Sequence, residues 1–249
     1  MRVFKNLGRG SGRIGTIVPS TNRNLEPDFF LLAPPGVSLH FVRVSSGEVS
    51  AIPDSVQMQK YAKSEIELPT QLLVDARVDV IAYGCTSATL SSSPEFDETL
   101  SRKIESLGGI PTVTAAGALL EAVGALGVSK AAFVSPYVRE LHEGAMTFLT
   151  TSGLDIVSEQ DVGCELNNYE QEMSPRAVYD LASRADSKSA EVVILSCTEM
   201  RAVEAIAALE LDLGKPVVTS NQALMYACAH RIGADLSQVK QGGQLFQHR

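Results

Sequence analysis

The sequence contains an internal repeat, and this repeat constrains the fold more than any other feature. Three pairs of segments correspond in the same order: 17–20 (IVPS) with 133–136 (FVSP), 79–86 (DVIAYGCT) with 191–198 (EVVILSCT), and 111–114 (PTVT) with 216–219 (PVVT). The offsets are 116, 112 and 105 residues, a drift expected for two copies that diverged through changes in loop length. The alternative explanation is that short β-branched segments, which are common in the strands of any α/β protein, recur here by chance.

Short β-branched runs alternate with stretches of helical period. The predicted strands are 13–19, 38–44, 78–84, 112–114, 131–135, 155–162, 191–196 and 216–219. The predicted helices are 57–76, 94–107, 115–125, 138–152, 175–187, 200–209 and 222–232. This alternation predicts an α/β fold with parallel strands covered on both faces. The runs 78–84 and 191–196 are apolar almost continuously, as central parallel strands are.

Composition excludes several classes of protein. The chain has 249 residues, with 21 Lys plus Arg against 29 Asp plus Glu and a net charge of −8. A chain this acidic gains nothing from the phosphates of nucleic acids or from an anionic membrane, so we expect neither as a partner. Its apolar runs are far shorter than the roughly 20 residues that span a bilayer. Residues 1–13 lack the apolar core of a secretory signal, which favours a cytoplasmic location.

The four cysteines are expected to be free thiols. Cys85, Cys164, Cys197 and Cys228 form no C-x-x-C pair, which argues against both a disulfide framework and a zinc site. The four histidines also lack metal-ligand spacing. We therefore expect no metal, and a buried core position is the simplest interpretation of Cys164 and Cys228.

Each copy of the repeat places a Cys-Thr pair directly after its most apolar strand. The pairs are Cys85-Thr86 and Cys197-Thr198, each followed by a predicted helix. Ligands bind at this carboxyl edge of parallel sheets, and a helix N-terminus favours both a thiolate and a bound carboxylate. We therefore expect acidic, reactive thiols. If the two copies face each other, Cys85 and Cys197 approach one substrate carbon from opposite sides.

Two thiols so placed suit chemistry on a small carboxylate without a cofactor. One reaction moves a proton from one face of the carbon beside the carboxylate to the other, and another adds a thiolate across a double bond and expels it after rotation. Both need donors for the charge that develops on the carboxylate. The candidate donors at the strand ends are Ser20, Thr21, Asn22, Thr86, Ser87, Ser135, Tyr137 and Thr198.

At these residues the sequence resembles a known family. The segments IVPSTN (17–22), YGCTSAT (83–89), SPY (135–137) and SCTEMRA (196–202) are similar to the aspartate/glutamate racemase superfamily. The similarity is to its maleate cis-trans isomerase and arylmalonate decarboxylase branch, which includes the ectoine-utilisation protein A group. The resemblance implies two pseudo-symmetric Rossmann-like (flavodoxin-like) lobes with parallel sheets and an active site between them. The first lobe would hold 1–114 plus 221–249, and the second 115–220.

The resemblance also implies roles. For a maleate isomerase, Cys85 would be the nucleophile, Cys197 the proton donor, and Asn22, Tyr137 and one of Asn167 or Asn168 the carboxylate clamps. It further implies a small carboxylate or dicarboxylate substrate and a homo-oligomer. We therefore expect a cofactor-independent two-cysteine isomerase.

Three alternatives stay open on the sequence. An amino-acid or hydroxy-acid racemase would also use two cysteines, whereas an arylmalonate-type decarboxylase typically keeps only the second, so Cys85 speaks against it. A non-catalytic carboxylate-binding module would have no use for paired thiols. Glu199 could repel a dianionic substrate or clamp an amino group.

Overall fold

The part of the chain that the structure describes is built on eight parallel strands. The computed structural model describes residues 10–45, 55–62, 66–162 and 174–248. The strands are β1 (Gly12–Pro19), β2 (Val37–Val44), β3 (Val80–Tyr83), β4 (Thr112–Thr114), β5 (Lys130–Ser135), β6 (Asp155–Asp161), β7 (Val192–Leu195) and β8 (Val217–Thr219). Each corresponds to a strand predicted from the sequence, with bounds that differ by two residues at most.

The helices lie between and after these strands. They are α1 (Leu25–Leu32), α2 (Ser55–Ala62), α3 (Glu67–Asp75), α4 (Thr86–Leu90), α5 (Pro94–Gly108), α6 (Ala115–Ala125), α7 (Arg139–Thr151), α8 (Pro175–Ala185), α9 (Ile206–Leu213), α10 (Ser220–Arg231) and α11 (Gly243–Gln247). Short 3₁₀ helices cover Val203–Ala205 and Lys240–Gly242. None of these helices is both long and apolar enough to cross a bilayer.

The strands form two four-stranded sheets with the same connectivity. The orders are β2-β1-β3-β4 and β6-β5-β7-β8, and every pairing is parallel. β3 and β7 occupy equivalent inner positions, and all of their residues are buried. The predicted α/β fold of two repeated halves is therefore confirmed.

The two halves meet through helices that follow their last strands. Thr114 caps α6 by accepting a hydrogen bond from the Gly117 N–H, and Thr219 caps α10 in the same way through the Gln222 N–H. α6 and α10 pack against each other, and each also contacts both β4 and β8. Division of the chain into 1–114 plus 221–249 and 115–220 stays a prediction.

Two predicted helices differ from the structure. The helix predicted over 57–76 is two helices, α2 and α3. Pro69 lacks a backbone N–H and is tolerated only near a helix start, so the helix containing it begins at Glu67. The helix predicted over 200–209 is instead a turn followed by the 3₁₀ helix Val203–Ala205 and α9. Backbone and side-chain contacts of Thr198 and Glu199 with the first half hold this turn.

Three further helices were not predicted: α1, α4 and α11. α1 and α4 are short and begin soon after β1 and β3. Their sequences therefore resemble the loops that connect a strand to the next element. α4 has five residues and begins immediately after Cys85. A helix follows the first cysteine, whereas a turn follows the second. The two halves therefore differ in structure at this point of the repeat.

Candidate active site

The carboxyl ends of β3 and β7 carry the two predicted cysteines. Cys85 and Cys197 each lie two residues beyond the last residue of their strand. The thiol of Cys85 is buried and that of Cys197 partly buried, and both are free cysteines. A negative charge on Cys85 raises the pKa of Cys197, so the two thiols interact electrostatically.

Neither thiol is acidic in this environment, so the expectation of lowered pKa values is wrong. Burial raises the pKa of Cys85 above its ordinary value and that of Cys197 to about 12. The Ala88 N–H and the Ser87 hydroxyl stabilise the Cys85 thiolate, and the Glu199 N–H, 3.4 Å from the Cys197 sulfur, stabilises the other. These few donors do not offset desolvation. The carboxylate of Glu199 raises the pKa of Cys197 further.

Tyr137 lies between the two Cys-Thr pairs. Its side chain is buried, and its hydroxyl is 3.3 Å from Ser196 Oγ, next to Cys197. Burial and the negative charges of both cysteines raise the pKa of Tyr137, whereas the nearby hydroxyl of Thr86 lowers it. The phenol is therefore neutral and can donate a hydrogen bond to a ligand between the thiols.

Asn22 is held rigidly with its amide nitrogen directed at the second Cys-Thr pair. Its Nδ2 donates to Thr198 Oγ1 at 3.0 Å, and its Oδ1 accepts the N–H groups of Asn24 at 3.1 Å and Leu25 at 2.9 Å. Thr198 Oγ1 in turn donates to the Gly84 carbonyl at 3.2 Å. The predicted residues Asn22 and Thr198 thus meet across the two halves.

Glu199 is engaged by the loop after β1. Its Oε2 accepts the N–H groups of Arg23 at 2.6 Å and Asn24 at 3.3 Å, and Arg23 Nε lies 3.5 Å from Oε1. The Asn24 amide also donates to the Glu199 carbonyl. Burial raises the pKa of Glu199, while these donors lower it. The carboxylate therefore joins the two halves, which accounts for it without a substrate amino group.

The other predicted residues have different surroundings. Ser20 and Thr21 are exposed on the loop after β1. Ser87 Oγ lies 3.0 Å from Met58 Sδ and 3.8 Å from Cys85 Sγ, so its single hydrogen can be donated to either sulfur. Thr86 is buried, and its hydroxyl has no hydrogen-bond partner among the described residues. Asn167, Asn168 and Cys164 lie outside the described residues.

Tyr61 is a candidate site residue that the sequence did not reveal. It is 3% exposed and lies on α2, and the part of the chain that the structure describes offers its hydroxyl no hydrogen-bond partner. Its ring lies 6.1 Å from that of Tyr83, and the charge of Cys85 raises its pKa further beyond the effect of burial. No motif marks Tyr61, because α2 lies outside the three segments in which the sequence repeat was recognised.

A buried acid–amide pair supports the same loops. Asn221 Nδ2 donates to Asp28 Oδ2 at 2.7 Å and to the Thr198 carbonyl at 3.0 Å. Burial raises the pKa of Asp28 to about 7. Asp28 on α1 and Asn221 at the start of α10 thereby hold the Thr198 carbonyl in place.

One group of possible metal ligands occurs within the described ranges, at the carboxyl edge of the second sheet. Ligand atoms of His142, Glu159 and Asp161 lie within 4.8 Å of one another. Arg139 Nη1 lies 3.0 Å from a carboxylate oxygen of each acid. The guanidinium already supplies the positive charge that the two carboxylates need.

The fold has a solved counterpart. A mutant of the Nocardia farcinica maleate cis-trans isomerase with a covalently bound succinylcysteine intermediate superimposes with a TM-score of 0.84 at 22% identity. The match covers 96% of this chain and 99% of that chain. At this level of identity the likeness shows a shared fold.

Sequence relatives and a family match agree with the fold. The maleate isomerase of Nocardia farcinica is 30% identical over 235 residues, covering 88% of this chain and 89% of the relative. That of Geobacillus stearothermophilus is 26% identical over 227 residues, covering 86% and 89%. The arylmalonate decarboxylase family matches residues 14–246. The resemblance seen in the sequence is therefore confirmed, and the chain belongs to the arylmalonate decarboxylase family.

Proposed function

We propose that this protein is a cofactor-independent cis-trans isomerase of a small cis-alkene dicarboxylate of the maleate type. The observation that carries the proposal is the pair Cys85 and Cys197, one beyond each of two equivalent strands, with the neutral phenol of Tyr137 close to both. Two of the similar proteins are maleate isomerases, at 26% and 30% identity.

The surroundings of the two thiols support a different role for each. Cys197, with a pKa of about 12, holds its proton at neutral pH and is the proton donor. The pKa of Cys85 is not raised by the negative charge of Glu199. The Cys85 thiolate also accepts hydrogen bonds from the Ala88 N–H and the Ser87 hydroxyl. Cys85 is therefore the easier thiol to ionise, and its thiolate is the nucleophile.

The reaction balances with these two groups alone. The Cys85 thiolate forms a C–S bond to one alkene carbon, and the neighbouring carbon takes the proton of Cys197. Rotation about the new C–C single bond exchanges the cis and trans arrangements. The Cys197 thiolate then removes a proton from the same carbon, the double bond re-forms, and the C–S bond breaks to release the Cys85 thiolate. A succinylcysteine, as in the Nocardia farcinica mutant, is a thioether of this type.

The carboxylates of the substrate meet neutral donors. The buried hydroxyls of Thr86 and Tyr61 have no partner among the described residues, and Tyr137 adds a third beside the thiols. Such preorganised donors stabilise negative charge as it builds on a carboxylate during addition. Asn22 Nδ2 donates one hydrogen to Thr198 Oγ1 and offers its second N–H to the substrate from the first half.

The predicted contacts outside this inner group are part of the same proposal. Ser20 and Thr21 would line the entrance from the loop after β1, Ser87 would assist Cys85, and Thr198 would position Asn22. Asn167 or Asn168 is proposed as the remaining carboxylate clamp.

The alternatives are less well supported. A decarboxylase that protonates one face needs a single thiol, which leaves Cys85 without a role. The racemase interpretation drew on Glu199 as a clamp for an amino group, but that carboxylate accepts the Arg23 and Asn24 N–H groups.

Proton NMR in deuterium oxide tests the proposal. The substrates are maleate, both enantiomers of several small amino and hydroxy acids, and phenylmalonate. We expect maleate to give fumarate without release of carbon dioxide, and the chiral acids to keep their α-protons. Carbon dioxide from phenylmalonate, or exchange at a chiral α-carbon without conversion of maleate, would overturn it.

Compartment and assembly are also proposed. The reaction needs two reduced thiols, which the cytoplasm maintains, so we place the enzyme there. A homo-oligomer, as expected from the resemblance, is measured by light scattering on the purified chain.

A further inference from the structure

Behind Tyr137 lies a chain of polar groups that the proposed reaction does not use. Ser135, the last residue of β5, has its Oγ 2.7 Å from Nδ1 of His142 on α7, and the same oxygen accepts the Tyr137 N–H at 3.3 Å. His142 Nε2 lies 3.0 Å from Glu159 Oε2 on β6. Ser135 and His142 are fully buried.

The chain has a defined proton order. Ser135 Oγ accepts the Tyr137 N–H, so its own hydrogen is available for Nδ1 of a neutral imidazole. The remaining ring proton then sits on Nε2, which lies 3.0 Å from Glu159 Oε2 without forming a regular hydrogen bond. Burial lowers the pKa of His142, and Arg139 lowers it too, against the opposing effect of Glu159 and Asp161. The ring is therefore neutral at pH 7, as this order requires.

The outer end of the chain is anchored at the surface. Arg139 Nη1 lies 3.0 Å from both Glu159 Oε1 and Asp161 Oδ2, and Arg139 Nε bonds Glu143. Glu159 is thus held on the side away from His142. The histidine ring also packs on Phe133, with ring centroids 5.0 Å apart. These contacts leave His142 little freedom to rotate.

We propose that Ser135, His142 and Glu159 form a positioning relay that fixes the backbone of Tyr137 and so holds its hydroxyl at the two thiols. The relay rests on the proposed function for its catalytic consequence. Tyr137 lies on the short connection between β5 and α7, and its phenol reaches away from this connection to Ser196. A small backbone rotation at the base of so long a side chain moves the hydroxyl out of reach of a substrate carboxylate.

A double-mutant cycle separates positioning from general stability. Ser135→Ala is expected to lower kcat for maleate about tenfold, the scale of one lost hydrogen bond in a transition state, with KM changed less. In a Tyr137→Phe background the same substitution is expected to change kcat less than about twofold, because the hydroxyl it positions is absent. Equal losses in both backgrounds would overturn the relay. Ser152→Ala, which removes a hydroxyl bonded to the Phe148 carbonyl in the same half, is the matched control.

Two substitutions of His142 test the geometry. Asparagine can place an acceptor near the position of Nδ1, whereas glutamine reaches the position of Nε2 and leaves Ser135 without its partner. We expect His142→Asn to restore most of the kcat that His142→Gln loses. Equal loss in both variants, at matched melting temperatures, would contradict a role through Ser135.

NMR of the substrate-free protein tests the relay separately from the proposed function. With ¹³C-labelled tyrosine, the NMR signal of Tyr137 is assigned by its absence in Tyr137→Phe. Ser135→Ala and His142→Gln are expected to shift or broaden this signal, and Ser152→Ala to leave it in place. An unchanged signal in Ser135→Ala would overturn the relay. Failure of the native protein to convert maleate would instead count against the proposed function alone.

Discussion

The hydroxyl of Thr198 donates a hydrogen bond to the carbonyl of Gly84 at 3.2 Å. Thr198 directly follows Cys197 and Gly84 directly precedes Cys85, so this bond joins the two cysteine loops. Thr86, the counterpart of Thr198 in the repeat, makes no such bond, and its buried hydroxyl has no partner among the described residues. One threonine of the pair holds the halves together, and the other is available to a substrate.

Valine at these two positions should therefore have opposite effects. Thr198→Val removes the donor to Gly84 and the acceptor of Asn22, and we expect the free energy of unfolding to fall by about 1–3 kcal/mol. Thr86→Val should leave stability unchanged or slightly raised and lower kcat/KM for maleate by about tenfold or more. Urea denaturation and the maleate assay measure the two quantities. Loss of stability in Thr86→Val with full activity would contradict this assignment.

Each catalytic thiol should be essential. Cys85→Ser and Cys197→Ser are each expected to reduce kcat by at least about 100-fold, the scale for loss of a positioned acid, base or nucleophile. Cys197→Ser should also accumulate a thioether on Cys85, seen as one added maleate in the intact mass. Cys228→Ala, at a buried cysteine on α10, is the control and should keep its activity. Full activity in either serine variant would rule out the two-thiol mechanism.

Activity should rise with pH above neutrality. In the proposed mechanism only the thiolate of Cys85 adds to the alkene, and burial raises the pKa of this thiol above its ordinary value. The thiolate fraction grows about tenfold per pH unit below the pKa, so kcat/KM should climb steeply between pH 7 and 8. Alkylation of Cys85 by iodoacetamide should follow the same profile and be slowed by maleate. A flat profile across this range would show that the thiol is already ionised.

Tyr61 offers a further test of the site. Its buried hydroxyl has no partner among the described residues, so Tyr61→Phe should not lower the free energy of unfolding. If the hydroxyl binds a substrate carboxylate, kcat/KM should fall about tenfold. Tyr179→Phe, which removes a phenol bonded to Asp212 at the surface, should leave kcat/KM unchanged. Equal kcat/KM in the two variants would show that the Tyr61 hydroxyl does not bind the substrate.

The strands could be predicted from the sequence because the patterns that indicate them are local. β3 and β7 are continuous apolar runs between polar turns, and the Cys-Thr pairs fix where they end. The break between α2 and α3 was missed because helical periodicity continues across it, although Pro69 marks the restart. The turn at Thr198 and Glu199 depends on partners nearly 180 residues away, Asn22 and Arg23, which no local pattern reveals.

The site could be predicted where the repeat marked it. Cys85, Cys197 and Thr198 lie just beyond the equivalent strands β3 and β7. Asn22 and Tyr137 follow the carboxyl ends of the neighbouring strands β1 and β5. The pKa values of the thiols could not be predicted, because desolvation depends on everything packed around each sulfur.

The contact between α6 and α10 bears on how two unlike thiols can arise from one duplicated unit. These helices follow equivalent strands and pack against each other. A symmetric pair of separate half-chains would give both cysteines the same neighbours and therefore the same proton affinity. Joined in one polypeptide, the halves can diverge, and only Cys197 has Glu199 beside it. The covalent link permits the two sulfurs to differ in proton affinity, as the proposed division into a proton donor and a nucleophile requires.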